Sequence, residues 1–317
     1  MSRVDGAAHW RLRIPVVKEM QKYDADSLKS AFSVIAKELI VAAEKHQKFD
    51  FVEGIALPYS HRILAFLLKI PQCDQQDLQR LITAWMHNLK TGTTEEERTL
   101  AADADRQLRE YFVGLVEQRS QCLTNDFVSN LLKKNLDDKG LTAGEVAKIC
   151  FEVSIALIST LSHLVENGWV ALLQNPSELE KLRASPDLLP AAVEEMLRYA
   201  PPVLEIHRYV KNTMLLDGCQ IQQGQTITID LKRVNRDPRV YTCPDQFIID
   251  RPRLRALSVT FGGGAHVCLG AKFAKSATAA FYLRSSSAPL SRSTLHLIWK
   301  LLLSGIRLSR AIRSWSC

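Results

Sequence analysis

Apolar residues recur at helical spacing over most of the first two hundred positions. Residues 27–46 set Leu28, Phe32, Ile35, Leu39 and Ala42 on one stripe, which predicts an amphipathic helix. Residues 60–71 and 75–90 predict two more helices, parted by Pro71. Residues 94–119 open on Thr-Glu-Glu-Glu and predict a long charged helix, and residues 126–135 a short one. The longest helix is predicted from Leu141 to about Leu173, because Thr142 and Glu145 have the spacing of a capping box. Its centre, Ile149 to Leu164, is mostly apolar or small on every side, which predicts burial in the core. A further helix, Leu189 to Tyr199, ends at Pro201-Pro202.

The pattern then changes period. Val203, Ile206, Val210, Ile221, Ile227 and Ile229 predict short strands around a turn at Gln222-Gln223-Gly224. Asn235-Arg236-Asp237-Pro238 reads as a turn, and residues 238–260 as irregular coil. No internal repeat is present. The fold class expected is mainly α with small β-sheets. Residues 284–296 are Ser/Arg-rich and carry no apolar stripe. The expected organisation is therefore one domain over residues 1–283 and a basic tail of disordered composition over 284–317.

Composition changes this picture little: 317 residues, 46% hydrophobic and 24% charged, are globular values. Charge changes it more. The net charge is +7, but Asp250 is the last acidic residue. Residues 251–317 hold eleven Lys and Arg, which leaves residues 1–250 at −4. Such a segment suits an acidic partner. Nucleic acid is not expected as a partner, because the basic residues lack interleaved aromatics. The seven cysteines, at 73, 122, 150, 219, 243, 268 and 317, form no C-x-x-C pair, so zinc and dithiol chemistry are not expected. Their odd number, with no apolar leader after Met1, suggests a reducing, cytoplasmic setting. No apolar run reaches the ~18 residues of a membrane span; Leu295 to Ile306 is short and broken by Lys300 and Ser304.

The most informative stretch is residues 261–270, Phe-Gly-Gly-Gly-Ala-His-Val-Cys-Leu-Gly. A glycine-rich bend that exposes Cys268 and turns backbone N–H groups towards its sulfur suits a thiolate ligand to a flat metal cofactor. Phe261, Gly262, Gly264, His266, Cys268 and Gly270 resemble the F-G-x-G-x-H-x-C-x-G signature of the cytochrome P450 family. Glu195 and Arg198, three apart on a helix and about seventy residues before Cys268, resemble the family's E-x-x-R pair.

That resemblance, over roughly residues 5–283, implies a cytochrome P450 fold, incomplete at its ends. It implies a heme b cofactor with Cys268 as axial thiolate, which favours O–O cleavage, and Phe261, Gly262 and Gly270 shaping the loop. It implies that Arg251 closes a buried ion network with Glu195 and Arg198. His9, Arg13, Arg208 and His266 would hold the heme propionates, where an arginine fork pairs well with a carboxylate. The implied activity is monooxygenation of a small organic substrate, plausibly in secondary-metabolite biosynthesis, with a ferredoxin or reductase as electron donor.

The central helix departs from the family. Its oxygen-handling A-G-x-(D/E)-T pattern corresponds here to Ala156-Leu157-Ile158-Ser159-Thr160. Thr160 is kept and, with Ser159, is the candidate for catalysis. Leu157 replaces the glycine that opens a groove, and Ser159 replaces the acid. A serine donates a hydrogen bond but supplies no proton near neutral pH. Some family members lacking the acid reduce nitric oxide or use peroxide instead. The chain also starts at the propionate-binding helix and ends atypically. Three readings follow: a heme-thiolate monooxygenase, a truncated and inactive heme-binding remnant, and a basic helical binding protein without cofactor.

Overall fold

The computed structural model describes residues 4–45, 50–89, 92–133, 140–252 and 258–287. In chain order its helices are α1 (Gly6–Gln21), α2 (Ala25–Glu44), α3 (Leu57–Leu68), α4 (Gln75–Trp85), α5 (Glu95–Gln121), α6 (Phe127–Lys133), α7 (Ala143–Gln174), α8 (Pro176–Ala184) and α9 (Leu189–Tyr199). The strands β1 (Glu205–Tyr209), β2 (Met214–Leu216), β3 (Cys219–Ile221) and β4 (Thr226–Asp230) follow, then α10 (Leu231–Val234) and α11 (Ala271–Ser287). β1 pairs with β4 and β2 with β3, both antiparallel, which gives two small sheets. The mainly helical expectation holds.

The axis of the fold is α7, with α3, α5, α9 and α11 packed around it. Its start is fixed by sequence. Thr142 Oγ1 accepts from the Glu145 N–H at 3.2 Å, and the Glu145 carboxylate accepts from the Thr142 N–H at 2.9 Å. An 18-residue window of α7 is apolar enough to cross a membrane, yet 67% of it is buried inside the protein, which makes it a core helix. At Gly168 three helices converge. A Cβ there would lie 2.5 Å from the Tyr282 hydroxyl of α11 and 2.8 Å from the Met196 sulfur of α9. The Tyr282 hydroxyl then donates to the Val165 carbonyl at 2.7 Å.

Three expectations shift. On α2 the buried set is Leu28, Phe32, Ser33, Ala36 and Ala43, whereas Ala42 is exposed and Ile35 and Leu39 only half-buried. The helix turns its small side chains inwards because α11 lies close along it, with Ser33 Oγ donating to the Ala280 carbonyl. The strand region holds a second turn, Asp217-Gly218, where both residues have positive φ. The last helix runs through 284–287 to Ser287, into the stretch expected as tail; residues 288–317 lie outside the described residues.

Glu195, Arg198 and Arg251 form the expected network. Glu195 and Arg198 are both fully buried. Arg198 Nε and Nη2 donate to the two Glu195 oxygens at 2.8 and 2.7 Å. Its Nη1 donates to the Asn235 and Pro244 carbonyls at 2.9 and 2.7 Å. Arg251 Nε lies 3.3 Å from Glu195 Oε2, and its Nη2 donates to the Cys243 and Gln246 carbonyls at 3.1 and 2.8 Å.

Arg198→Met leaves Glu195 short of its main partner and frees the Asn235 and Pro244 carbonyls, so it should cost about 3–5 kcal/mol in denaturant unfolding. A loss under about 1 kcal/mol would refute this account of the coil. A pH effect is expected at His61. Burial in α3 lowers its pKa from 6.5 to about 4. Between those values the unfolded chain binds more protons, so His61 makes the fold less stable as pH falls from 6.5 to 4. His61→Gln should flatten the stability profile over that window; an unchanged slope would contradict the burial argument.

Candidate cofactor site at the cysteine loop

Helix α9 holds the start of the loop. Thr260 Oγ1 donates to the Leu197 carbonyl at 2.8 Å, and Asn235 Nδ2 donates to Thr260 Oγ1 at 2.9 Å. The chain then bends at Gly262 and Gly264, with φ of +69° and +72°, a region L side chains rarely adopt. The Cys268 N–H donates to the Phe261 carbonyl at 2.9 Å, closing the loop, and α11 follows at once. Phe261 is half-buried beneath the Lys275 ammonium, 5.2 Å from its ring, and that ammonium donates to Glu194 of α9 at 2.6 Å. The loop is thus pinned to both flanking helices.

Cys268 is exposed at its surface, yet burial pushes its thiol pKa up. Both hold if the sulfur lines an internal hollow: open on one side and enclosed by protein on the others. The Gly270 N–H and the Arg13 guanidinium act in the opposite direction and stabilise a thiolate. Gly270 has no Cβ, and one placed there would lie 3.9 Å from the sulfur.

Helix α1 brings His9 and Arg13 to this loop. Arg13 is buried and donates to the Val267 carbonyl. His9 is 1% exposed, and neither ring nitrogen has a hydrogen-bond partner. Its ring lies 4.1 Å from that of His266 and 5.2 Å from that of Trp10. Burial, then the neighbouring His266 and Arg13, lower the His9 pKa below that of a free imidazole. His266 Nε2 lies 2.7 Å from Asp5 Oδ1. Arg208 stands apart from these three: it is exposed on β1 and donates to the His207 carbonyl at 3.0 Å.

The centre of α7 is not covered on every side. Ala156 is exposed in the middle of this core helix, and Glu152, Thr160, His163 and Asn167 continue a half-exposed stripe along the same face. Among the described residues, this face of α7 is therefore left partly uncovered. Hydroxyls along this centre bond back to their own helix: Ser159 to Ile155 O at 2.8 Å, Thr160 to Ala156 O at 2.6 Å, Ser162 to Ile158 O at 2.7 Å. Such back-bonding competes with the helical ladder. Thr160 lies on the open stripe, whereas Ser159 is buried beside it. Leu157 is half-buried and packs against the core.

These residues fit a heme. There is a thiol in a hollow beside a cation, two buried imidazole nitrogens with no partner where carboxylates would come, and a core helix with one uncovered face. Sequence reading missed Asn235 and Thr260, which hold the loop to α9, and His163, on the stripe of Thr160. It also missed Asp5 and Lys211, joined at 2.6 Å. The spacing of 160 and 163 on one helix face could have flagged His163; nothing local in sequence flags the others.

A family model described as cytochrome P450 matches residues 61–283. The polyketide biosynthesis cytochrome P450 PksS of Bacillus subtilis is 31% identical over 86% of this chain and 65% of its own length. The biotin biosynthesis cytochrome P450 of the same organism is 31% identical over 84% of this chain and 67% of its own length. The chain thus spans about two thirds of the length of these relatives. Among solved structures, P450BioI in complex with hexadec-9Z-enoic acid ligated acyl carrier protein superposes with a TM-score of 0.82. It is 28% identical, over 91% of this chain and 73% of that one.

Gly264→Ala should destabilise the protein by about 1–2 kcal/mol, because the left-handed backbone alone resists a Cβ there; nothing lies within 4 Å of the added atom. Gly263, extended at φ −157°, should tolerate alanine. Thermal unfolding of both variants checks this, and equal losses would refute it.

Proposed function

The chain belongs to the cytochrome P450 family, and on that premise we propose that it forms the heme-thiolate core of a monooxygenase acting on a small organic substrate in secondary-metabolite biosynthesis. The observation that carries the reading is Cys268, enclosed but open on one face, beside Arg13 and the unpartnered nitrogens of His9. Relatives named for polyketide biosynthesis and cyclomarin C epoxidation support the substrate class. Free cysteines among the described residues support a reducing, cytoplasmic setting. The basic character of residues 251–317 suits an acidic electron donor such as a ferredoxin or a reductase surface.

In this reading Cys268 would hold the heme iron through its sulfur, as the thiolate. Heme held there supplies dioxygen binding and activation at a thiolate-ligated iron. His9, Arg13 and His266 would hold its carboxylates, and Arg208 would join them only by giving up the His207 carbonyl. Thr160 Oγ1 gives its proton to the Ala156 carbonyl and keeps its lone pairs, so at the uncovered face it can only accept a hydrogen bond. Ser159 is buried and directs its proton at Ile155 O, and it contributes no acid. That observation favours a second reading, in which the chain binds heme but moves protons too poorly for coupled turnover.

The carbon-monoxide difference spectrum of the reduced protein tests the first step. A Soret band at the position of thiolate ligation, lost in Cys268→Ala, is expected; wild-type protein without heme would sink both readings. Leu157→Gly with Ser159→Asp should then raise the fraction of reducing equivalents recovered as product by about tenfold or more, given what a positioned proton donor contributes. No gain in the double variant would show that α7 is not the defect.

A further inference from the structure

Asp5 occupies the N-cap position of α1, where an aspartate normally accepts from the first free N–H groups of the helix. Its side chain makes no such bond. Instead Oδ1 lies 2.7 Å from His266 Nε2, and Oδ2 lies 2.6 Å from Lys211 Nζ. Lys211 sits two residues past β1, so this carboxylate joins the strand region to the cysteine loop. His266 also stacks on His9, whose nitrogens are unpartnered. A carboxylate of the chain itself is therefore gripped at the place where the cofactor's carboxylates are to be received.

We infer that Asp5 competes with a cofactor carboxylate for His266, and that Lys211 is the arm that holds Asp5 aside once the cofactor is bound. The inference rests on the heme-thiolate reading and adds two residues to its site. His266 offers one N–H at Nε2, and that proton serves either Asp5 or a propionate. With Asp5 left ionised beside a propionate, the two anions repel. The Lys211 ammonium, a flexible point charge, offsets that repulsion by staying on Asp5. Asp5 is tuned for this by its partners: the hydrogen bond from Lys211, then that to His266, lower its pKa to about 2.

Heme dissociation, measured by transfer to an apo-globin acceptor, tests the pair without relying on turnover. Asp5→Asn keeps the shape and the capping ability of the residue and removes the charge. It should slow heme loss by about twofold to fivefold, the range of an exposed charge pair. Lys211→Met should speed heme loss by a similar factor. In the double variant the Lys211 effect should vanish, because the charge it offsets is gone. Far-UV circular dichroism verifies that the variants are folded. Unchanged or faster heme loss in Asp5→Asn, with a normal wild-type carbon-monoxide spectrum, would overturn this inference and leave the heme-thiolate reading intact. Wild-type protein that takes up no heme would overturn both.

Discussion

The cofactor site depends on one buried carboxylate. Glu195, on α9, accepts from Arg198, from Arg251 and from the Ile248 N–H, all within 3.4 Å. A buried charge is tolerable only when paired and fully hydrogen-bonded, and the remaining guanidinium protons go to carbonyls at Asn235, Thr242, Cys243, Pro244 and Gln246. Residues 235–251 make no regular ladder of their own. Their path is set by these donors, and Asn235 at its start holds Thr260, which fastens the cysteine loop to Leu197. The ion network is thus structural in position and functional in consequence.

The second constraint is the approach of helices to α7. Gly168 admits Tyr282 and Met196 to its backbone, so α9 and α11, which flank the cysteine loop, are held to the same axis. On the opposite account, Ala156 is left bare in the middle of an otherwise covered helix. A core helix with a bare alanine marks a wall, and the hydroxyls of Ser159, Thr160 and Ser162 are turned onto its own carbonyls. On the open stripe the Thr160 proton is thus committed to the Ala156 carbonyl. Leu157 and Ser159, standing where the family pattern has a glycine and an acid, are legible in sequence; the back-bonding of Thr160 is not.

The cationic cluster shows how a site can be built from distant pieces with different certainty. His9 and Arg13 share a helix face, and His266 belongs to the loop that Arg13 grips through Val267. Arg208, expected beside them, lies exposed along its own strand, while Lys211, three residues later, reaches the cluster through Asp5. Arg208 lies within β1 and Lys211 in the bend past its end, so the residue type at each position could not reveal which one would meet the loop.

The sequence by itself determined the helices with strong caps and clear periods and the Thr142–Glu145 start of α7, and it marked Cys268 as the candidate ligand, because these are set by neighbours a few residues apart. It also pointed to Glu195, Arg198 and Arg251 as one unit, through spacing and family resemblance. Only the tertiary structure decided what depends on contacts across the chain. It buried Ala36 and Ala43, and not Ala42, on α2. It uncovered Ala156 on a helix whose composition predicts full burial. It recruited Asn235 and Thr260 as the fastening of the loop, and Asp5 and Lys211 as its outer charges. A side chain's chemistry is local, but its accessibility and its partner are properties of what packs against it.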